Sequence, residues 1–589
     1  MDPKSYYQSR ITELSIRLSM LKRTSFLLSM SRLFVFLMMA ICSYAFYPSG
    51  QIITGILVVG FALFLFLVGR YADVKAKRNF QQTLVNINKK ELLALNGNLA
   101  GFKTGTEFVT DEHYFNQDID LFGEGSIFQS IKRTGTRNGE VLLAAWLNSN
   151  SIKQVKEKQI AIEELKTKTD WRQEFQATGE IIEKEVELNA IVAWAKKYTS
   201  KIPRVYKWAP AVFSVLSIAV LAAFFMSFVP GKALAAWFFI GLGITAAHLK
   251  HITKLANDGG RVQETFRQYS KLILQIEQQE LKSDLLQDLQ QDLKESGVEV
   301  SQILGQLSKE FSNLDQRNNV FFAMLANGFF LWDLRYARRI EAWIEQHELS
   351  LEKWFNVVSQ FDAYNSMANF SYNHPKYVVP TLSADDKTTI QAEALGHPLL
   401  NEDKRVDNDL SMNTEDFLII TGANMAGKST FLRTVALNIV MANCGMPVCA
   451  KSFTYKPIKL ISSMRTSDSL QNDESYFFSE LKRLKFIVDE IKTDTYFIIL
   501  DEILKGTNSK DKAEGSKKFV ERLVASNSTG LIATHDLSLC VLEKELPQIT
   551  NHYFDAEIVD NELFFDYTFK DGVCQNMNAS FLLKKMEIV

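Results

Sequence analysis

The sequence predicts a multi-domain chain in which α-helical membrane hairpins and a helical lever core precede a C-terminal α/β domain. Three observations carry the prediction: two long charge-free stretches bounded by Lys and Arg, helical spacing of apolar residues in the segments that follow each, and short apolar runs near the C-terminus that end in a Gly-rich loop and an acidic pair. The chain has 589 residues, with 66 Lys plus Arg against 68 Asp plus Glu and a formal net charge of -2. That balance exerts no overall pull on a polyanion, so any nucleic-acid surface must be local. Only 11 Pro and 28 Gly are present, which favours long helices and argues against disorder. Cys42, Cys444, Cys449, Cys540 and Cys574 are too scattered for a disulfide framework or a paired-cysteine metal site, and they fit a reducing compartment.

From Leu33 to Gly69 no residue is charged, and Tyr47-Pro48-Ser49-Gly50 interrupts the stretch as a turn signal. This predicts two membrane helices, about Ser31–Phe46 and Ile52–Gly69, after a polar N-terminal helix over residues 1–30. The first is slightly short for the roughly 20 residues a bilayer requires, and Phe26–Ser31 extends it past Arg32. A second apolar pair, Trp208–Gly231 and Ala233–Leu249, has Pro230-Gly231 at its tip, giving four spans. The apolar stretch begins too late and runs too long for a secretory leader. Arg10, Arg17, Lys22, Arg23 and Arg32 precede the first hairpin and Arg70, Lys75, Lys77 and Arg78 follow it; Lys201, Arg204 and Lys207 precede the second, with Lys250 and Lys254 after it. The tips carry only Lys232, so the positive-inside rule puts both ends and the large polar segments in the cytoplasm of a multi-pass protein of the cell membrane.

The expected division is therefore an N-terminal helix (1–30), a first hairpin (31–70), a first part of the helical core (71–207), a second hairpin (208–250), a second part (251–388) and an α/β domain (389–589). Charged and apolar residues alternate at helical spacing over Asn150–Tyr198 and Arg261–Leu314, as on long solvated helices packed by one stripe. The helical region reaches about Asn369, and the segment from Tyr377 to Lys387 reads as a linker.

In the last domain, Phe417-Leu418-Ile419-Ile420 suits a buried parallel strand and leads into Thr421-Gly422-Ala423-Asn424-Met425-Ala426-Gly427-Lys428-Ser429-Thr430. The spacing fits G-x-x-x-x-G-K-[ST], the P-loop, and makes this an α/β P-loop NTPase domain. Gly422 and Gly427 let the backbone turn its amides inward around an anion at the start of the next helix. Lys428 puts a point charge on the outer phosphates, and the Ser429 hydroxyl is placed for Mg²⁺. A second apolar run, Thr495 to Leu500, ends in Asp501-Glu502. Asp501 suits the metal, and Glu502 suits the general base for water. A third run, Thr529–Thr534, precedes His535, a candidate γ-phosphate sensor. The expected cofactors are ATP and Mg²⁺, with Gly422, Asn424, Met425, Ala426, Gly427, Lys428, Ser429 and Thr430 around the nucleotide and Lys428, Glu502 and His535 as the catalytic set.

These three segments together resemble the ATPase domain of the MutS mismatch-repair family, whose versions run close to TGPNMGGKST, DEIGRGTS and ATH. Asp468–Glu480 resembles the family segment in which a Ser reaches the nucleotide of the opposite subunit, and Ser475 is the matching residue. Gly396-His397-Pro398, Asp120–Ile127 with Trp146-Leu147, Asp362–Ala368 and Gly572-Val573-Cys574 resemble other family elements. The resemblance implies a homodimer joined through its ATPase domains. Leu504 and Lys505 stand where the family has Gly and Arg, and Ala423 and Ala426 where it has Pro and Gly. Nothing before Asp120 resembles the mismatch-reading domain, and the second hairpin falls where the family inserts its DNA clamp. The reading is thus a membrane-anchored MutS-like ATP-driven switch that engages DNA, without mismatch preference, or a repair partner. The alternative is an ATPase that moves its own transmembrane helices in transport or membrane remodelling. Against transport stand the lack of an LSGGQ-like signature and spans without an internal acid or Arg.

Overall fold

The computed structural model describes residues 2–110, 113–181, 186–295, 297–423, 425–464, 476–504, 509–559 and 562–575. Two helices open the chain, α1 (Pro3–Ala45) and α2 (Gly50–Leu95), packed against each other as an antiparallel pair. Asp2 caps α1 by accepting from the Ser5 amide, and Pro3 follows at a position where its missing N–H is no loss. At 1.5 Å per residue each helix is roughly 65–70 Å long, about twice a bilayer's hydrocarbon core. Around the tip the side chains are apolar and exposed, with Phe34, Phe36 and Ile41 on α1 and Val58, Val59 and Phe66 on α2, whereas at the far end Leu14 and Leu18 bury against Leu84, Val85 and Ile87. Both helices run straight through the boundaries expected at residues 30 and 70, because neither Ser31-Arg32 nor Arg70-Tyr71 contains a helix breaker. Arg32 instead lies 4.1 Å above the Tyr71 ring, closing the two helices together.

The helical core follows in short elements: α3 (Ile127–Ile131), α4 (Arg137–Asn148), α5 (Val155–Lys166), α6 (Thr169–Glu180) and α7 (Leu188–Lys197). The second apolar pair is α8 (Ala209–Phe225) and α9 (Gly231–Ala246), of 17 and 16 residues. Of the four spans expected, the described residues hold two helices of spanning length and apolarity, α1 and α2; α9 reaches it only when joined to the start of α10 (Leu249–Glu277), across a 61° bend. The bend falls where Ala247-His248 separates the apolar run from charged sequence. Beyond come α11 (Asp284–Gln291), a hairpin of β1 (Lys294–Glu295) and β2 (Val298–Glu299), α12 (Val300–Asp315), α13 (Val320–Phe330), α14 (Trp332–His347) and α15 (Leu351–Asn373). Helix α15 is buried along nearly its whole length and is the axis of the core, touching α3, α4, α5, α6, α7 and α10.

The C-terminal part is mixed α/β. Its elements are β3 (Thr381–Leu382), β4 (Thr388–Leu395), β5 (Asn408–Asn413), β6 (Phe417–Gly422), α16 (Lys428–Asn443), β7 (Ser452–Tyr455), β8 (Lys459–Ser463), α17 (Tyr476–Glu490), β9 (Tyr496–Asp501), α18 (Ser509–Val524), β10 (Thr529–Ala533), β11 (Ile549–Phe554), β12 (Glu557–Val559), β13 (Glu562–Phe564) and β14 (Lys570–Asp571). The main sheet runs β14-β11-β6-β10-β9-β8, parallel except for β14, and a second sheet runs β3-β7-β4-β5. Strands β6 and β10 are buried at every position and β9 at all but its last, as continuous apolar runs must be in a sheet covered on both faces. The segment expected as a linker is partly paired: Val378 bridges Val448, and Thr381-Leu382 adds β3 to β7. Sheet structure therefore starts before residue 389.

Candidate active site

The parallel register fixes which chain ends meet. Ile420 of β6 lies beside Ala533 of β10, which lies beside Asp501 of β9, so the carboxyl ends of the three strands form one ledge. In open parallel sheets ligands bind at that edge. The loop after β6 leaves it through Gly422 at φ 147, where a Cβ would sit 2.6 Å from the Phe554 carbonyl oxygen. It continues through Met425 at φ 68 and Gly427 at φ 107 before α16 begins at Lys428. Left-handed residues in such a loop turn successive amides to one side, as anion-binding nests require. Met425 holds this conformation with its side chain 76% exposed, where a non-glycine residue stores backbone strain.

Lys428 is buried and folds back over this loop. Its Nζ donates to the carbonyls of Gly422 and Ala423 at 2.7 and 3.0 Å and lies 3.2 Å from His535 Nε2. Burial depresses its pKa, with Asp501 and Glu502 opposing. One residue on, Ser429 Oγ donates to Asp501 Oδ2 at 2.5 Å. Glu502 begins the turn after β9 at φ 59, with its amide bonded to the Ala533 carbonyl at 2.8 Å, and its Oε1 lies 3.2 Å from His535 Nε2. Burial, followed by the Lys428 charge, holds the His535 imidazole below its ordinary pKa, so it is neutral at pH 7. A neutral imidazole has one hydrogen or one lone pair at Nε2, so His535 serves either Glu502 as donor or Lys428 as acceptor, not both.

The structure thus brings together Gly422, Met425, Ala426, Gly427, Lys428, Ser429, Thr430, Asp501, Glu502 and His535 of the expected set. Asn424 and Ser475 lie outside the described residues, as does most of Asp468–Glu480. A cavity of about 580 Å³ opens from Lys428 and Ser429. Its far side was not marked as a site by sequence spacing: Phe554 ends β11, Tyr567 comes from the segment after β13, and Val406 and Asn408 precede and begin β5. Nothing local signals Tyr567, which arrives by long-range folding. His397 also lines the cavity; burial lowers its pKa to about 4 and keeps it neutral.

The α/β part is fastened to the core segment around residues 113–120. Arg433 on α16 donates to the Asp118 carbonyl at 3.1 Å and pairs with Asp120 at 3.1 Å. Ser462 on β8 donates to Asp118 Oδ2, and Arg483 on α17 donates to the carbonyls of His113 and Tyr114. Motions at the strand ends would reach the helices through these bonds.

A helical core carrying a mixed α/β domain, with a glycine-bounded loop and an acidic pair at the carboxyl edge of its parallel sheet, is the class that fold and site define. Within it, the MutS domain V family model matches residues 418–585. The chain is 30% identical over 249 residues to the DNA mismatch repair protein MutS of Staphylococcus haemolyticus, covering 41% of this chain and 28% of that protein. To the human MutS protein homolog 4 it is 29% identical over 256 residues, covering 42% and 26% respectively. To the DNA mismatch repair protein MutS of a Thermotoga species the figures are 29% over 237 residues, 39% and 29%. Over residues 418–585 the chain is thus similar to domain V of MutS proteins. It spans less than a third of the length of these curated relatives.

Proposed function

We propose that the chain is a membrane-anchored MutS-like ATPase, a switch that binds and hydrolyses ATP at the Gly422–Thr430 loop. The observation that carries this reading is the convergence of Lys428, Ser429, Asp501, Glu502 and His535 at one strand-end ledge, with Ser429 and Asp501 in contact at 2.5 Å. The loop amides and Lys428 hold the phosphates, with Lys428 Nζ exchanging its two carbonyl partners for phosphate oxygens. Ser429 and Asp501 are paired hard oxygen donors and would hold Mg²⁺. When bound there, Mg²⁺ neutralises charge on the phosphates. Glu502 accepts the proton of the attacking water, and His535 orients Glu502 through Nε2. Ser475 of a second chain completes the site in a homodimer.

Lys428→Ala is expected to weaken ATP binding, whereas Glu502→Gln keeps binding and slows turnover by about 10²-fold or more, the scale of a lost general base. Parental turnover in Glu502→Gln refutes the assignment.

Two functional readings follow from the site. Engagement of DNA or a repair partner is supported by relatives named for DNA mismatch repair. Movement of the chain's own membrane helices is supported by a direct joint: Tyr7 of α1 donates to Asn373 at the end of α15 at 2.7 Å, and Asn373 donates to Glu91 of α2 at 2.9 Å. Duplex DNA binding by the full chain in detergent separates them. The DNA reading expects binding that weakens steeply with salt and is equal for homoduplex and mismatched duplex. The membrane reading expects none.

A further inference from the structure

Helix α13 is apolar, is unmarked by the charge-free stretches that signalled the two hairpins, and packs on both α8 and α9. From Val320 to Leu331 no residue is charged. On one side its Gly328 meets Gly241 of α9 so closely that a Cβ on Gly241 would lie 2.2 Å from the Gly328 carbonyl oxygen. Phe238 covers Gly328 and meets the Phe329 ring at 5.3 Å. Small residues in contact are how helices approach where water supplies no driving force. On the other side Val320, Phe321, Met324 and Leu325 are exposed, Phe321 by 82%. This stripe adjoins a pair of helices that are themselves exposed at Val215 and Ile218 of α8 and Phe239 and Ile240 of α9.

The base of the segment is polar and closed. Arg317, before α13, pairs with Asp333, after it, at 3.3 Å with both side chains largely buried. Asn319 caps the helix by accepting from the Phe322 amide, and Trp332 Nε1 donates to the Asn313 carbonyl at 2.8 Å. Chain entry and exit are therefore pinned at one place, so the excursion leaves and returns on the same side. Eleven residues rise about 16 Å, too short to cross a hydrocarbon core of roughly 30 Å.

We propose that the Val320–Leu331 segment inserts into the single leaflet nearest the helical core, beside α8 and α9, with Val320, Phe321, Met324 and Leu325 against lipid acyl chains. This rests on the reading of α8 and α9 as membrane helices and adds a third inserted element to them. Its position makes it a mechanical contact: α13 runs directly into α14, and α14 is tied to α8 by Arg335 donating to Ser214 at 3.3 Å. A movement of α14 carries α13 through the leaflet.

The test uses the full chain with Cys42→Ser, the other four native cysteines being buried, in phosphatidylcholine–phosphatidylglycerol vesicles, bearing a nitrobenzoxadiazole label on one introduced cysteine at Phe321, Leu325, Val215, Val58 or Leu349. Leu349, 78% exposed beyond α14, is the aqueous reference and Val58 of α2 the lipid reference. Labels at Phe321 and Leu325 are expected to lose most of their emission to nitroxide lipids and little to aqueous iodide, as at Val215. Aqueous quenching at Phe321 and Leu325 with lipid quenching at Val215 overturns the inference and leaves the second hairpin intact. Aqueous quenching at Val215 as well overturns the membrane reading of α8 and the inference with it. Shielding of Phe321 and Leu325 from both quenchers means a protein surface, a second copy or a partner, covers the stripe, and also overturns it.

Discussion

Replacing Arg133 by Met tests the joint between the N-terminal helix pair and the core. Arg133 Nε lies 2.5 Å from Glu91 Oε1, with side chains 4% and 2% exposed. Its NH1 donates to the Lys132 carbonyl at 2.9 Å, and its guanidinium sits 3.7 Å above the Phe102 ring. Met preserves much of the stacking volume but strands the Glu91 carboxylate, which keeps the bond from the Asn373 amide. Removing one member of a buried pair costs about 3–5 kcal/mol, most of it from the charge left behind. At roughly 2–4 °C per kcal/mol for a cooperative unit of this size, the thermal midpoint falls by about 6–20 °C. Glu91→Gln in the Arg133→Met background is expected to recover most of that loss, since a neutral amide tolerates burial better than an unpaired anion. The assay is intrinsic fluorescence melting of the four proteins of the cycle in one detergent. Midpoints are compared because a chain with several cooperative units has no single unfolding free energy. A fall under about 2 °C for Arg133→Met, or no relief from Glu91→Gln, refutes the reasoning.

The remaining predictions concern titration and the composite site. Burial raises Asp362 from 3.8 to about 6, despite three bonds donated by Gly135 N, Thr136 N and Thr136 Oγ1. The native state therefore holds a proton between pH 4 and 6 that the unfolded chain has lost, so this group's stability is present below pH 4 and lost as pH rises through 6. Melting at pH 4.5 and 6.5 should show a slope in the parent that Asp362→Asn flattens; equal slopes in the two refute the assignment. With His535 held below its ordinary pKa, turnover should stay level from pH 8 to 6.5, and a fall centred on 6.5 would mean an ordinary imidazole. Mixed dimers of Lys428→Ala with Ser475→Arg should regain part of the hydrolysis that each lacks alone, and verified mixed dimers without activity would favour a site completed within one chain.

What sequence made legible follows from how local each signal is. The strands at β6, β9 and β10 announce themselves because burial on both faces demands unbroken apolar runs, and the loop residues because an anion site requires glycines, a Lys and a Ser at fixed spacing within one turn. The linker expected at residues 377–387 went partly into β3 because pairing depends on β7, some seventy residues away. The boundaries expected at 30 and 70 leave no mark on the backbone, since a change of residue type from polar to apolar does not change helical preference. Helix α13 escaped because twelve uncharged, mostly apolar residues suit a buried core helix equally well until its exposed face is known. Tyr567 escaped for the same reason as the contacts of Arg433 and Arg483, which join residues more than three hundred positions apart.

The same distance hides the connection between α15 and the N-terminal helix pair. Asn369 and Asn373, one turn apart near the end of α15, receive Arg172 from α6, Tyr7 from α1 and, through Glu91, Arg133 from the loop after α3. Two turns earlier Asp362 accepts the Gly135 and Thr136 amides at the start of α4, where a Cβ on Gly139 would strike its carboxylate at 2.3 Å. Every one of these groups is polar and most are buried, so sliding α15 by a single turn would leave several unpaired at about 1–3 kcal/mol each. Slippage within the core is thereby more costly than tilting the core as a whole. Since α15 leads through Tyr377 and Val378 into β3 of the second sheet, whose β4 and β5 line the cavity at Lys428, the proposed switch would pass a change at the strand ends to α1 and α2 as rotation of a stiff unit. On the proposed membrane-anchored reading, α1 and α2 respond to the state of the site by tilting rather than by unfolding.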